Sequence, residues 1–213
     1  MSDWSSLQLA AERGMIPSMP DLSSAVVPVG GLRALVQPVL DVDELVLRPW
    51  QPADAAAVAE AYGDPAIQRW HVRSMGQSEA LDWIRARSEL WAAETGADWA
   101  VTAREGLLGR VGLRALNLAD GLGEAAYWVL PGARGGGVAP RALTAVGEWM
   151  FAHVGLHRIE LLHSTANEAS CRVARKAGYA LEGTKRRHGL FADGWHDMHL
   201  HARLSDDPAA SRQ

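Results

Sequence analysis

The run from Glu124 to Leu143 constrains this chain more than any other. It begins with apolar and aromatic residues, Ala125 to Leu130, which read as a buried strand. It then passes Pro131 and Gly132 and reaches three consecutive glycines, Gly135 to Gly137. From Pro140 the spacing turns helical, through Leu143, Val146, Trp149, Met150 and Val154. A strand, a glycine-rich loop and a helix therefore follow one another. A helix start leaves backbone N–H groups unpaired and carries partial positive charge. Glycines remove the side chains that would hold an anion away, and Arg134 adds a full charge, so the loop has the makings of an anion cradle. A bare surface turn would carry the same glycines. The loop lacks the Gly-Lys-Ser/Thr of a P-loop, and G-x-G-x-x-G is absent.

Bulk properties narrow the classes. At 213 residues the chain suits one domain with a sizeable core. A formal charge of −4 argues against a strong nucleic-acid binder. Cys171 is the only cysteine, so no intrachain disulfide can form and a cytoplasmic setting is expected. No apolar run is long enough to cross a bilayer, and the N-terminus lacks the basic start of a signal peptide. Nine tryptophans either fill the core or line a cleft.

Residues 1–44 are rich in proline and glycine between apolar residues and read as an arm packed on the domain, with a short helix from Trp4 to Arg13. The arm could cover the active site, join a homodimer interface, or patch an apolar surface; the last is favoured. Glu44 to Trp50 reads as the first strand. Asp54 is expected to cap a helix to Tyr62, Asp64-Pro65 to open a second, and Ser78 to cap a third, Glu79 to Glu94. Asp98 to Ala103 and Leu107 to Leu116 form a hairpin, with Gly109 and Gly112 marking a bulge. Asn117 to Gly123 is a loop, and Glu124 starts the central strand. His157 to His163 is its parallel neighbour, reached through a right-handed crossover. A helix from Asn167 to Ala177 and an antiparallel pair, Tyr179 to Arg187 with His196 to Leu204, close the domain.

Three segments carry a resemblance. Arg134-Gly-Gly-Gly-Val-Ala139 resembles the coenzyme A pyrophosphate loop of GNAT acyltransferases. Asn167 to Gly183 is similar to the signature of the RimJ/RimL-like branch, and Asp193 to Asp197 to its closing hairpin. The three fall in register over roughly Leu45 to Leu204. The resemblance implies a mixed α/β GNAT fold over 45–205: a mostly antiparallel sheet, a splayed parallel strand pair at its centre, and helices on both faces. Residues 206–213 would be a disordered tail.

It also implies acetyl-CoA as co-substrate and a primary amine as acceptor, on a protein N-terminus or a small molecule. The pantetheine arm would lie along Trp128, Val129 and Leu130. The diphosphate would rest on Arg134, Gly135, Gly136, Gly137, Val138 and Ala139, with Asn167 and Lys176 adding contacts. Ser170 is the candidate acid for the leaving thiolate and Glu124 the candidate base. Trp70, His71 and Trp83 are candidate acceptor contacts. Two rivals follow from the same residues: an acyl-CoA-binding module without catalysis, and an acyltransferase with a bulkier donor such as succinyl-CoA.

Each assignment has a plainer counterpart. Asn167 and Ser170 are common helix caps; Glu124 could be a solvated strand end; Asp197 could simply order the last hairpin. His196, His199 and His201 invite a metal, but His196 points opposite to the other two and no cysteine or carboxylate beyond Asp197 completes a set, so no metal is expected. Lys185-Arg-Arg-His188 reads as a solvated strand, Cys171 as a small core residue, and Arg172 as a surface ion pair or a phosphate contact. Arg141 stands where the family often has a glutamate, which removes the ion pair expected there.

Overall fold

The structure, a computed structural model, describes residues 23–104 and 106–208. The Trp4–Arg13 helix and the end of the tail, 209–213, lie outside them. Among the described residues eight strands form one sheet in the order β1-β2-β3-β4-β5-β6-β8-β7. They are β1 (Leu40–Val42), β2 (Leu45–Arg48), β3 (Ala97–Ala103), β4 (Gly106–Asn117), β5 (Leu122–Val129), β6 (Arg158–Ser164), β7 (Ala180–Phe191) and β8 (Gly194–Leu204). Only β5 and β6 run parallel; every other neighbouring pair is antiparallel. The helices are α1 (Ala55–Gly63), α2 (Pro65–His71), α3 (Gln77–Ala92), α4 (Val138–Trp149), extended by a π-helical turn to Val154, and α5 (Glu168–Lys176). No helix among the described residues is long and apolar enough to cross a membrane.

Alternation along β5 shows how the sheet divides two cores. Ala125, Tyr127 and Val129 face the larger core, with Trp99, Leu143, Met150 and Ile159. Trp128, one residue out of phase, faces the smaller core with Val58, Tyr62, Ile67 and Trp83 of α1 to α3. The tryptophans accordingly do both things considered for them. Trp91, Trp99 and Trp149 form one buried aromatic cluster, and Trp50, Trp83 and Trp128 another beneath the cleft described below.

Several boundaries differ from the sequence reading. The first strand is Leu40–Val42, inside the supposed arm, joined to β2 by a turn with Asp43 at φ 53°. Asp54 precedes α1 but caps nothing there. Its carboxylate takes two bonds from Arg48, at 2.8 and 2.7 Å, and accepts the Gln51 N–H at 2.9 Å, so it closes the turn that leads into α1 and not the helix itself. Helix α3 starts at Gln77 rather than after Ser78, with Glu79 accepting from the Gly76 N–H at 2.7 Å. Strand β5 begins at Leu122, and the last hairpin is longer than expected, turning at Ala192–Asp193. Gly112 marks no bulge; a Cβ there would strike the backbone of Ala97 and Asp98, so the glycine permits close approach of β3.

Residues 23–39 pack against the sheet edge and α3. Val27 and Leu32 are buried, and Glu94 accepts from the amides of Gly30, Leu32 and Arg33 at 2.7 to 3.0 Å. Indole N–H groups of Trp91 and Trp99 donate to the carbonyls of Leu35 and Pro38.

Candidate active site

The glycine loop is folded to present amides. Gly135 and Gly137 hold φ of 86° and 73°, a region that a side chain would strain, and Gly137 directly precedes α4. Among the described residues the N–H groups of Gly135, Gly136, Gly137, Val138 and Ala139 donate to nothing in the chain. A Cβ at Gly135 would meet nothing within 4 Å, so the bend is open rather than filled by its own side chains. Arg141 supplies the reason for this geometry. Its guanidinium binds the carbonyls of Gly136 (3.1 Å) and Gly137 (3.3 Å), and it also pairs with Glu44 at 2.6 Å and Asp43 at 3.3 Å. The carbonyls are turned toward α4 and the first hairpin, and the amides are left to the other side. The pairing holds the Glu44 carboxyl down at about 2. Arg134 donates to the Val129 carbonyl at 3.1 Å and lies 3.7 Å from Asp64.

Beside the loop the sheet opens. Pairing between β5 and β6 runs from Leu122↔Arg158 to Ala125↔Leu161 and stops, although β5 continues to Val129 and β6 to Ser164. Leu130 N–H donates to Leu108 O, so the alternation of an antiparallel ladder turns Trp128 toward β4 and the backbone groups of Tyr127 and Val129 into the gap. Both carbonyls take bonds away from β4, from His71 Nε2 and Arg134 Nε. A cleft of about 1210 Å³ follows the gap, walled by Ala125–Val129 on one side and Leu161–Ser164 on the other. It reaches the loop at Arg134, Gly135 and Gly137–Pro140, and α5 at Asn167, Ser170 and Lys176. Leu130 is not a wall residue: its amide is spent on the ladder and its side chain joins the smaller core.

Ser170 sits at the edge of this gap, 8% exposed. Its hydroxyl shares a 2.7 Å hydrogen bond with Tyr127 OH. Sequence reasoning assigned Tyr127 no role; the signal available was its place on the gap-facing side of a strand that ends in a glycine loop. Burial pushes the Tyr127 phenol up to about 12, so it is protonated at neutral pH. Asn167 serves as the cap expected of such a residue, its Oδ1 accepting the Ser170 N–H at 3.1 Å.

The far end of the cleft is aromatic and cationic. Trp70, His71 and Trp83 all line it, with Arg73, Arg87, Arg110 and Arg114. Asp98, buried, holds Arg110 through a bidentate pair and lies 3.9 Å from Arg87. His71 Nε2 lies 3.1 Å from the Tyr127 carbonyl, so that nitrogen carries the proton. Burial, with Arg110, Arg114 and Arg73 adding to it, pushes His71 down to about 4 and leaves the ring neutral. Glu124 is paired with Arg114 and stands one residue before the cleft wall begins.

The remaining candidates fall elsewhere. Asp197 Oδ1 accepts the Arg187 N–H at 2.8 Å and its carbonyl accepts that of Thr165, which orders the hairpin. His196 lies 2.9 Å from Asp193 and 2.8 Å from Ser164 Oγ, apart from His199 and His201. Arg172 pairs with Glu168 at 3.6 Å. Lys185 to Arg187 are exposed. Cys171, set aside as a core residue, instead has its sulfur 3.7 Å from His201 Nε2.

A protein-family model, described as acetyltransferase (GNAT) domain, matches residues 44–180. An uncharacterized N-acetyltransferase of Bacillus subtilis (strain 168), YoaA, is 28% identical over 155 residues, 71% of this chain and 88% of that one. The structure of RimL, a ribosomal L7/L12 alpha-N-protein acetyltransferase in complex with coenzyme A, superposes with a TM-score of 0.74 at 18% identity, covering 78% of this chain and 98% of that one. The microcin C7 self-immunity acetyltransferase MccE, in complex with acetyl-CoA and AMP, gives 0.69 at 17% identity over 76% of this chain and 93% of that one.

Proposed function

Because the chain belongs to the acetyltransferase (GNAT) domain family, we propose how it carries out acetyl-CoA-dependent N-acetylation of a primary amine by direct transfer. The five unpaired amides from Gly135 to Ala139 receive the coenzyme A diphosphate, with Arg134 and Lys176 at its margins. On the edge that faces the gap the N–H groups of Tyr127 and Val129 are left over by the ladder; the Tyr127 N–H donates to the pantetheine arm, and the Val129 N–H polarises the thioester carbonyl. Ser170 donates a hydrogen bond to the departing sulfur, which leaves as a thiolate and is protonated from water, while the attacking nitrogen gives its proton to water. Tyr127, held 2.7 Å away, donates to Ser170 in turn. The single observation that carries this reading is the gap that opens beyond Ala125 and Leu161, with free amides at one end and two hydroxyls beside it.

The acceptor enters from the arginine-lined end. Four arginines face one buried aspartate and Glu124, so this end suits an amine that carries a nearby anionic group. A protein α-amine, with a pKa of about 8, is already about a tenth unprotonated at pH 7, whereas a lysine at about 10.4 is not. The α-amine therefore needs no strong base. RimL, which shares the fold, is an acetyltransferase of a protein N-terminus, which supports the α-amine as acceptor. Glu124 enters the proposal through Arg114, which it holds at the cleft wall.

Release of thiol from acetyl-CoA over a panel of amines tests the proposal. Peptides with an acidic residue after the first should outperform their lysine-bearing counterparts. Arg73→Ala should raise KM for the acidic peptides several-fold and leave KM for acetyl-CoA unchanged. Glu124→Gln should act mainly on acceptor KM, whereas a loss of kcat by two orders of magnitude would make Glu124 the base.

A further inference from the structure

Behind α5, on the side of β6 and β8, the fold gathers four ligand-type side chains that the acetyl-transfer chemistry does not use. His163 on β6, His199 and His201 on β8, and Cys171 on α5 each offer one ligand atom, and the four atoms lie within 4.8 Å of one another. The register of the sheet places them: His163 pairs with His199, Leu161 with His201, and Cys171 comes down from the helix above. We propose that His163, Cys171, His199 and His201 form a tetrahedral zinc site.

Distance, chemistry and hydrogen bonding support it. Zinc–nitrogen bonds of about 2.0–2.1 Å and a zinc–sulfur bond of about 2.3 Å put the edges of a tetrahedron at roughly 3.4–3.6 Å. The Cys171 sulfur is already 3.7 Å from His201 Nε2. The widest pair must close by about an ångström, within the reach of side-chain rotation. One thiolate with three imidazoles is a borderline-soft set that suits zinc and not magnesium or calcium. A histidine that binds a metal through one ring nitrogen typically donates the other N–H to a carbonyl. His163 Nδ1 lies 2.8 Å from the Ser164 carbonyl and His201 Nδ1 3.1 Å from that of Tyr179, which leaves both Nε2 atoms as acceptors.

Without a metal the arrangement is costly. His163 is 5% exposed and His201 fully buried, and among the described residues His163 Nε2 and His199 Nδ1 have no hydrogen-bond partner. A sulfur–imidazole contact accounts for Cys171 and His201 but leaves those two nitrogens orphaned, and a buried polar group without a partner is destabilising. His163 also lines the cleft, which provides a route for the ion. Binding is balanced by one proton: the Cys171 thiol gives up its proton as the zinc–sulfur bond forms, while imidazole ligates in its neutral form and gives up none. Four protein ligands leave no open position, so the ion would tie the start of α5 to β6 and β8 and would not act on substrate.

The test uses the untagged full chain, treated with a chelator and titrated with zinc chloride alone. We expect one equivalent bound, one proton released near pH 7.5, a raised melting temperature, and alkylation of the sole cysteine by iodoacetamide slowed at least about ten-fold. Cobalt(II) in its place should give the intense visible bands of a tetrahedral ion and a thiolate charge-transfer band. Cys171→Ser should abolish that band. Cys171→Ser and His199→Gln should each weaken binding by more than the roughly 10–100-fold that loss of an outer-shell partner costs. His153→Gln, on the exposed end of the π-helical turn, should bind as the wild type does. An octahedral cobalt spectrum, an unprotected thiol at saturating zinc, or binding unaltered in Cys171→Ser would overturn the proposal. The wild-type spectrum and the alkylation rate decide it even if a variant fails to fold.

Discussion

At the scale of single residues, the two hydroxyls in the gap have unequal roles. Both line the cleft and share one hydrogen bond, and a phenol pushed up to about 12 holds its proton too tightly to hand it on. The pair therefore acts as a chain of hydrogen-bond donors and not as a relay. Ser170→Ala should lower kcat by roughly 10²-fold, the scale of one lost donor to developing charge. Tyr127→Phe should lower it about 10-fold, one net hydrogen bond, with KM for acetyl-CoA little changed in either case. His71 makes a second prediction. Its folded value of about 4 lies below the ordinary 6.5, so between these values the unfolded chain binds the extra proton. Its contribution is complete above pH 6.5 and lost as the pH falls through about 4. The full contribution is on the order of 3 kcal/mol, less whatever solvent screens at its rim. Denaturant midpoints should fall from pH 7 to pH 4.5, and His71→Gln should flatten that slope without removing it, because burial also lowers His163 and His201.

At the scale of elements, the strand, loop and helix around the glycines work as one unit, and Arg141 is its fastener. It reaches from the first turns of α4 to the β1–β2 turn and to two loop carbonyls, so the aim of five amides depends on one side chain. Arg141→Ala should raise KM for acetyl-CoA several-fold while thermal stability changes little, since its ion pairs are solvent-exposed. Gly137→Ala should do both: raise that KM and cost about 1–2 kcal/mol for a left-handed backbone, measurable in the same denaturation experiment. The loop was legible from sequence because glycines, a strand and a helix stand next to each other in the chain. Arg141 was read only as a departure from the family pattern, because its partners, Asp43 and Glu44, lie 98 and 97 residues away. Leu40–Val42 escaped for a related reason: three residues among prolines become a strand only when β2 offers them a ladder. Asp54 was misjudged as the cap of α1 because a capping residue does not show which neighbours claim it: Arg48, six residues back, and the Gln51 N–H take its carboxylate instead.

At the scale of the molecule, one sheet serves two purposes: its ladder is continuous except where it must admit a substrate. The sequence contained the parallel neighbours and the crossover between them. It did not contain the acceptor end, because Arg73, Arg87, Arg110 and Arg114 come from three separate segments and converge only when α1 to α3 fold over β4 and β5. Nor did it contain the grouping of His163 with Cys171, which needs the helix laid across the strand. An open gap in an otherwise closed ladder has a cost, namely N–H groups on Tyr127, on Val129 and along the glycine loop that have no acceptor among the described residues. A ligand that satisfies them must raise stability in proportion to its binding, whatever chemistry follows. Coenzyme A at about 100 times its Kd should add about 2.7 kcal/mol, which for a domain of this size is roughly 5–10 °C in melting temperature. Ser170→Ala should retain that shift in full while losing turnover, because Ser170 meets the sulfur and not the diphosphate. Arg141→Ala should lose part of the shift and keep its turnover at saturating acetyl-CoA. An equal shift for wild type and Arg141→Ala would detach the glycine loop from the cofactor, and a full shift with no thiol release from any amine would leave a binding module in place of an enzyme.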